Sequence, residues 1–301
     1  MKKNSFYLIV FIALVTSSCQ KDNTSLLSTD IKGITNSPIV VSPVAPPTAA
    51  TDSTMLMGNP SNATTNEADF SNYLMKEGYY SVSYNRDLGR PNWVSWHVVS
   101  TDYGSIARQD DFRSNPNIPS SWYAVTPSSF SPYIFDKGHM CPSADRTSSI
   151  EANSSTFLMT NMVAQAPNNN QRTWANLENY CRDSLVTRLG NELYIISGVY
   201  GEGGIGNNGV VTNTLDNGRV SVPANIWKVI VVLKNGNNDL TRVANNTRVI
   251  AVVMPNDNNI GSNWRSYRTS VDFIEQETGY DVLSKVSTAI QSVIEARVDN
   301  Q

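Results

Sequence analysis

Asp136-Lys137-Gly138-His139-Met140-Cys141-Pro142 lies near the middle of a 301-residue chain, directly after the aromatic, strand-like run Tyr133-Ile134-Phe135. The chain has only two histidines. His97 falls inside an apolar alternating run, where an imidazole is a packing or edge group. His139 is therefore the one imidazole in a polar setting, next to a glycine that lets the backbone bend. With an ordinary pKa of about 6.5, imidazole is the natural general base near neutral pH. An Asp-x-Gly-His string alone carries little, because a single histidine is more often structural.

A second polar cluster follows some thirty residues later, in 161–182. Asn170, Trp174, Glu178 and Arg182 recur every four residues, so a helix beginning near Asn170 places them on one stripe. Such a stripe can hold a metal on a polar edge while Trp174 anchors it to the core. The plainer alternative is an N-cap asparagine followed by a surface Glu–Arg pair worth a few tenths of a kcal/mol.

The bulk composition narrows the chemistry. With 40% hydrophobic and 16% charged residues, the chain suits a globular protein with a true core. A net charge of −3 supplies no global field to recruit polyanions, so affinity for nucleic acid needs a local basic cleft or a metal. Three cysteines, at 19, 141 and 181, are too few for a four-cysteine zinc site, and two histidines exclude a three-histidine cage. A metal here would be a hard cation held by oxygens.

Met1-Lys2-Lys3 and the apolar run over 6–15 read as a signal peptide. Thr16-Ser17-Ser18 before Cys19 resembles a lipoprotein processing site, so 1–19 is expected to direct export. Lipidated Cys19 would then anchor the protein at the cell envelope or surface; secretion or periplasmic residence is the alternative. Residues 20–54 are rich in Ser, Thr, Pro and Ala and read as a disordered tether, leaving 55–299 as the folded domain.

Strands are expected over 79–84 and 93–99 as a hairpin, then over 156–163, 192–200, 226–233 and 249–254. Trp174, Leu177, Cys181 and Leu185 give a helix over 171–189 with Gly190 as its stop. Ser270 caps a short helix that Gly279 ends, and a final amphipathic helix covers 284–296. The long stretch over 104–132, with four prolines, reads as irregular and functional. Strands without regular alternation with helices indicate an α+β fold with a central, mostly antiparallel sheet flanked by helices.

Three motifs taken in order resemble the DNA/RNA non-specific endonuclease family, whose fold is the ββα-metal (His-Me finger) type. They are Asp136-Lys137-Gly138-His139, Thr160-Asn161-x-x-x-Gln165, and Asn170-Gln171-x-x-Trp174-Ala175-x-Leu177-Glu178. The likeness begins at Gly58-Asn59-Pro60-Ser61 and takes in 222–229 and Ile274-Glu275-x-x-Thr278-Gly279. It implies hydrolysis of DNA and RNA with His139 as general base and one Mg²⁺ bound through Asn170, Mn²⁺ being a substitute. By the same resemblance Glu178 holds metal-bound water, Asn161 supports the histidine, and Arg182 sits near the phosphate. The family more often has arginine at Lys137; lysine keeps the charge but loses the bidentate fork. Arg108, in the irregular loop, is the candidate for the arginine on the transition-state phosphate.

Export permits a disulfide, and Cys141–Cys181 is the candidate bridge between base loop and metal helix, with two buried thiols as the alternative. Gly201-x-Gly203-x-x-Gly206 follows a strand but opens no helix, so no nucleotide cofactor is expected. The rival from another class is a non-catalytic surface lipoprotein that binds nucleic acid or a protein partner. The joint presence of His139, Asn170 and Glu178 argues against it, because a binder needs no base beside a metal ligand.

Overall fold

The structure, a computed structural model, describes residues 53–301. The export leader over 1–19, with Cys19, and nearly all of the tether over 20–54 lie outside those residues.

Alternating apolar side chains build the framework. The strands are β1 (Tyr73–Lys76), β2 (Ser81–Asn85), β3 (Arg90–Val98), β4 (Asp136–His139), β5 (Met162–Gln165) and β6 (Asn191–Tyr200). Four dipeptide strands follow, β7 (Gly204–Ile205), β8 (Val211–Thr212), β9 (Thr214–Leu215) and β10 (Val220–Ser221), then β11 (Asn225–Lys234), β12 (Arg248–Pro255) and β13 (Arg268–Thr269). A seven-stranded sheet runs in the order β1-β2-β3-β6-β11-β12-β13, with every pairing antiparallel. The expected α+β class with a large antiparallel sheet is thus the architecture of the protein.

Successive residues of a strand face opposite sides, and here both sides are covered. Trp96, Ile195, Ile230 and Ile250 stand in one cross-strand row and belong to the core beneath the helix over 169–188. Trp93, Ile196, Trp227 and Val229 point the other way. There they meet α4 (Val271–Thr278) and α5 (Thr288–Ile294) through Val271, Ile274 and Ile294. A third cluster, with Phe130, Phe135, Met162 and Val222, packs around β4 and β5.

The remaining helices are α1 (Ile150–Ser155), the 169–188 helix, termed α2, and α3 (Asp239–Arg242). Only Ala175–Asn179 of α2 is α-helical; Asn169–Trp174 and Tyr180–Arg188 have π-helical hydrogen bonding. Its expected core residues Trp174, Leu177, Cys181 and Leu185 are all buried. Gly190 ends it with φ 63°, and Gly279 ends α4 with φ 72°, the left-handed turn that glycine adopts without strain. Ser270 Oγ accepts the Phe273 N–H, as a cap should.

Several expectations shift. Tyr133 has φ 61°, which breaks the apparent strand over 133–135, so the motif itself, Asp136–His139, forms the strand. A short helix, α1, follows the motif, where the sequence reading gives no element. Residues 156–161 form turns, with Phe157 N–H to Ser154 O and Asn161 N–H to Leu158 O, and the strand starts only at Met162. Their apolar content serves two separate clusters and not one pleat: Phe157 lies against His139, and Met159 packs with Phe130. The last helix begins at Thr288 because Ser287 is extended. β1 was not anticipated.

Candidate active site

The site is a ββα unit. β4 and β5 form their own antiparallel ladder, Asp136 opposite Gln165, Gly138 opposite Val163 and His139 opposite Met162, and α2 follows β5 directly. Gly138 does not serve as a flexible link here. A β-carbon at this position would lie 2.1 Å from Gln165 Oε1 and 2.6 Å from Gln165 Cβ, closer than any real contact allows. The fully buried Gln165 is fixed by its own amide, which donates to Asn169 Oδ1 at 2.8 Å. Glycine is required because β5's glutamine occupies the space.

His139 ends β4 in an aromatic enclosure. Phe157 meets its ring edge-on at a centroid distance of 4.9 Å, and Phe112 at 5.5 Å. Its Nε2 is buried with no hydrogen-bond partner. Burial, then the nearby charges of Arg108 and Lys137, push its pKa down to about 3, so the ring is neutral and holds an unengaged nitrogen. Arg108 lies over the Phe157 ring at 4.8 Å and donates to Ser143 Oγ and Asp110. Lys137 Nζ sits 4.7 Å from the Phe112 ring centre and 5.4 Å from that of Tyr133. Two of the three cations expected at the site, Arg108 and Lys137, are therefore beside the histidine, while the third, Arg182, pairs with Asp145.

Asn161 holds the chain just past His139. Its Oδ1 accepts the Cys141 N–H and its Nδ2 donates to Cys141 O, each at 2.9 Å, and also to Thr156 O at 2.8 Å. This clamp ties the base loop to the turn before β5. Cys141 and Cys181 are free thiols buried in the apolar core under α2, and burial pushes Cys181 up to about 12 and Cys141 higher still. The candidate bridge between base loop and metal helix is therefore not formed, and the alternative of two buried thiols holds.

At the start of α2, Asn170 and Gln171 both donate side-chain N–H groups to Asp136 Oδ2, each at 2.8 Å. This contact fixes the Asn170 amide: its nitrogen faces Asp136, and its oxygen accepts no hydrogen bond among the described residues. Carboxylate and amide oxygens are what a hard divalent cation takes, with water completing its shell, so this donor set fits one.

Glu178 and Arg182 lie deeper. Glu178 Oε1 is 3.5 Å from Lys228 Nζ, and Oε2 is 4.0 Å from Arg182. Burial raises the Glu178 pKa while Lys228 and Arg182 oppose the rise. Arg182 donates to Asp145 Oδ1 at 3.0 Å and Asn179 Oδ1 at 2.7 Å, and Asp145 Oδ2 accepts the Trp96 indole N–H at 3.0 Å. Lys228, only 1% exposed, stacks on Trp174 at 4.2 Å and Trp96 at 5.3 Å. The helix stripe is thus split between an outer end at Asp136 and an inner end at Lys228. His97, as expected of a strand histidine, pairs with Glu192 at 3.0 Å and stacks on Tyr194.

Asp136, Lys228 and Asp145 carried no role in the sequence reading. The signal for Lys228 was present, a lone cation inside the apolar run 226–233, since a buried charge demands a partner.

The family profile of the DNA/RNA non-specific endonucleases matches residues 57–289. The chain belongs to that family. A nuclease of Nostoc sp. is 48% identical over 246 residues, spanning 82% of this chain and 86% of the other. The mitochondrial nuclease EXOG of Danio rerio is 30% identical over 205 residues, 66% of this chain and 57% of its own length. A crystal structure of EndoG in complex with EndoGI superposes with a TM-score of 0.60 at 18% identity, covering 78% of this chain and 91% of that one. As a member of the non-specific endonuclease family the protein is a metal-dependent nuclease that hydrolyses phosphodiester bonds, on the ββα-metal fold.

Proposed function

We propose that this nuclease cleaves both DNA and RNA internally, with His139 as the general base and a single Mg²⁺ bound through Asn170, Mn²⁺ serving as substitute. The observation that carries the reading is the buried, unpartnered Nε2 of a neutral His139. A neutral imidazole is ready to take the proton of an attacking water. Its low basicity reflects burial beside Arg108 and Lys137, and the negative charge of a bound phosphodiester offsets those cations and raises its proton affinity.

Asn170 Oδ1 would hold the cation, oriented by the Asp136 contact. When bound, the cation supplies Lewis-acid stabilisation of charge on the phosphate oxygens. In this reading Glu178, two turns further along α2, orients water around that position, with Lys228 and Arg182 keeping it in place. In this reading Arg182 positions Glu178, and Arg108, with Lys137, meets the phosphate. Asn161 fixes the loop that carries His139.

Export through the 1–19 leader, with attachment at lipidated Cys19 to the cell envelope, belongs to the same proposal; release as a secreted or periplasmic enzyme is its alternative. The support is the basic start, the apolar run and the small residues before Cys19.

Incubating the purified protein with plasmid DNA and with RNA, in Mg²⁺ or in EDTA, tests the chemistry. Cleavage of both substrates is expected, abolished by EDTA and by His139→Ala. Undiminished cleavage by His139→Ala overturns the mechanism, and binding without cleavage in Mg²⁺ favours the non-catalytic lipoprotein.

A further inference from the structure

On the sheet face opposite α2, the two C-terminal helices bring carboxylates together. Asp272 stands in the first turn of α4 and Glu275 one turn on. Glu295 caps the C-terminal end of α5. One oxygen from each of the three lies within 4.8 Å of the others. Glu295 is only 5% exposed, and its Oε1 is buried with no hydrogen-bond partner. Asp281 adds a fourth negative charge nearby.

Clustered carboxylates are common where arginine or lysine neutralises them. The described residues hold one such case: His97, Glu192 and Asp239 also converge, but Arg242 pairs with both acids. The C-terminal cluster has no such cation. Every charge acting on Glu295 is another carboxylate, from Glu275, Asp281 and Asp272, and the same holds for Glu275, acted on by Asp281 and Asp272. Backbone contacts hold the groups in place despite this repulsion. The Asp272 N–H donates to Glu295 O at 3.2 Å, and Glu275 Oε1 accepts the Val282 N–H at 2.7 Å. Glu295 thus brings a buried carboxylate with one unpartnered oxygen up to two further carboxylates, a set of hard donors without an acceptor.

We propose that Asp272, Glu275 and Glu295 form a second divalent-cation site, of the calcium type, which ties the start of α4 to the end of α5 and takes no part in catalysis. Calcium fits better than magnesium because it accepts several carboxylates in irregular geometry, whereas magnesium keeps a near-ideal octahedron and most of its waters. Neutralising the cluster would fasten the C-terminal helices onto the lower face of the sheet, where Val271, Ile274 and Ile294 are already packed. A site of this kind suits an environment rich in calcium, with affinity in the range of about 0.1–1 mM.

Thermal unfolding of the whole protein in EDTA and in rising CaCl₂ tests the site. Four forms are compared: wild type, Asn170→Ala, Glu295→Gln and Asp272→Asn. Calcium is expected to raise Tm by about 5 °C or more near saturation in wild type and equally in Asn170→Ala, which lacks the proposed catalytic ligand. Glu295→Gln and Asp272→Asn should each lose most of that shift. Asp272 is exposed, so its replacement reports on binding without a folding defect. Magnesium at the same concentration should shift Tm less, and Glu295→Gln should retain Mg²⁺-dependent plasmid cleavage. A Tm of Asn170→Ala that calcium leaves unmoved up to about 10 mM, well above the range for such sites, refutes the proposal and leaves a proton as the group that holds Glu295. So does a calcium shift that survives intact in both cluster variants.

Discussion

Gly138→Ala is the sharpest test of how the sheet positions His139, the proposed base. The change adds one methyl group, and on the present backbone that carbon would stand 2.1 Å from Gln165 Oε1, 2.6 Å from its Cβ and 3.0 Å from its Cδ. The flexible end of a side chain could yield, but the second of these is a Cβ, fixed to the β5 backbone. Gln165 is also bound to Asn169, whose Nδ2 donates to Pro255 O at 2.7 Å. β4 must therefore move away from β5, a misfit of the overpacking class, costing about 1–3 kcal/mol. At roughly 2–4 °C per kcal/mol for a domain of this size, Tm should fall by about 2–12 °C. His139 is the next residue, so the base moves with the strand, and a displacement on the order of 1 Å costs up to about 100-fold in rate. Circular dichroism melts and steady-state cleavage of a defined substrate measure both effects, with kcat falling and KM nearly unchanged. Gln165→Gly removes that Cβ together with the amide, so the double variant should be less impaired than the two single changes predict together. A Gly138→Ala protein with wild-type Tm and kcat refutes the argument that Gln165 makes the glycine necessary.

Two further perturbations probe the charges around the site. Lys228→Met removes the lysine 3.5 Å from the Glu178 carboxylate and leaves Arg182, at 4.0 Å, as the cation beside it; loss of one partner of a buried pair costs about 3–5 kcal/mol, read as a lower urea midpoint, and Glu178→Gln in the same protein should restore much of it. His139 governs acid stability: its folded pKa is depressed from 6.5 to about 3, so its contribution is present above pH 6.5 and is lost as pH falls toward 3. Wild type should lose stability over that window with a limiting slope of roughly 1.4 kcal/mol per pH unit; urea titrations at several pH values should show a shallower decline for His139→Gln, and equal declines would contradict a buried neutral imidazole.

The sheet was readable because it is built from period-two and fully buried apolar runs. The runs over 192–200 and 226–233 became β6 and β11 nearly to the residue. Ser270 and Gly279 marked α4 because a cap hydroxyl and a left-handed glycine act locally. Local pattern failed where tertiary contacts decide. Phe157 and Met159 look like alternate residues of a strand, yet one packs on His139 and the other on Phe130 in a different cluster. The 284–296 helix shortened because Leu283 and Val286 meet the lower core as a turn, which helical spacing alone does not reveal.

The site divides along the same line. His139, Asn161, Asn170 and Glu178 could be picked out because their motifs keep order and spacing along the chain. What orients them comes from partners distant in sequence. Asp136 meets Asn170 across 34 residues, and Arg182 meets Asp145 across 37. Asn256, fully embedded, accepts the Ala166 N–H at the end of β5 and donates to Ala164 O, 90 and 92 residues away. Cys141–Cys181 is a candidate bridge in the sequence because the two cysteines flank the two halves of the site, and its alternative, two buried thiols, is what the structure has. The structure uses Asn161, a residue already in the motif, so that one amide both marks the family and ties down the base loop. A motif asparagine can therefore serve through its backbone contacts alone. Asn161 and Asn170 differ in that respect: every polar atom of the first side chain is spent inside the protein, while the oxygen of the second accepts no hydrogen bond among the described residues, which is what the proposed ligand role requires.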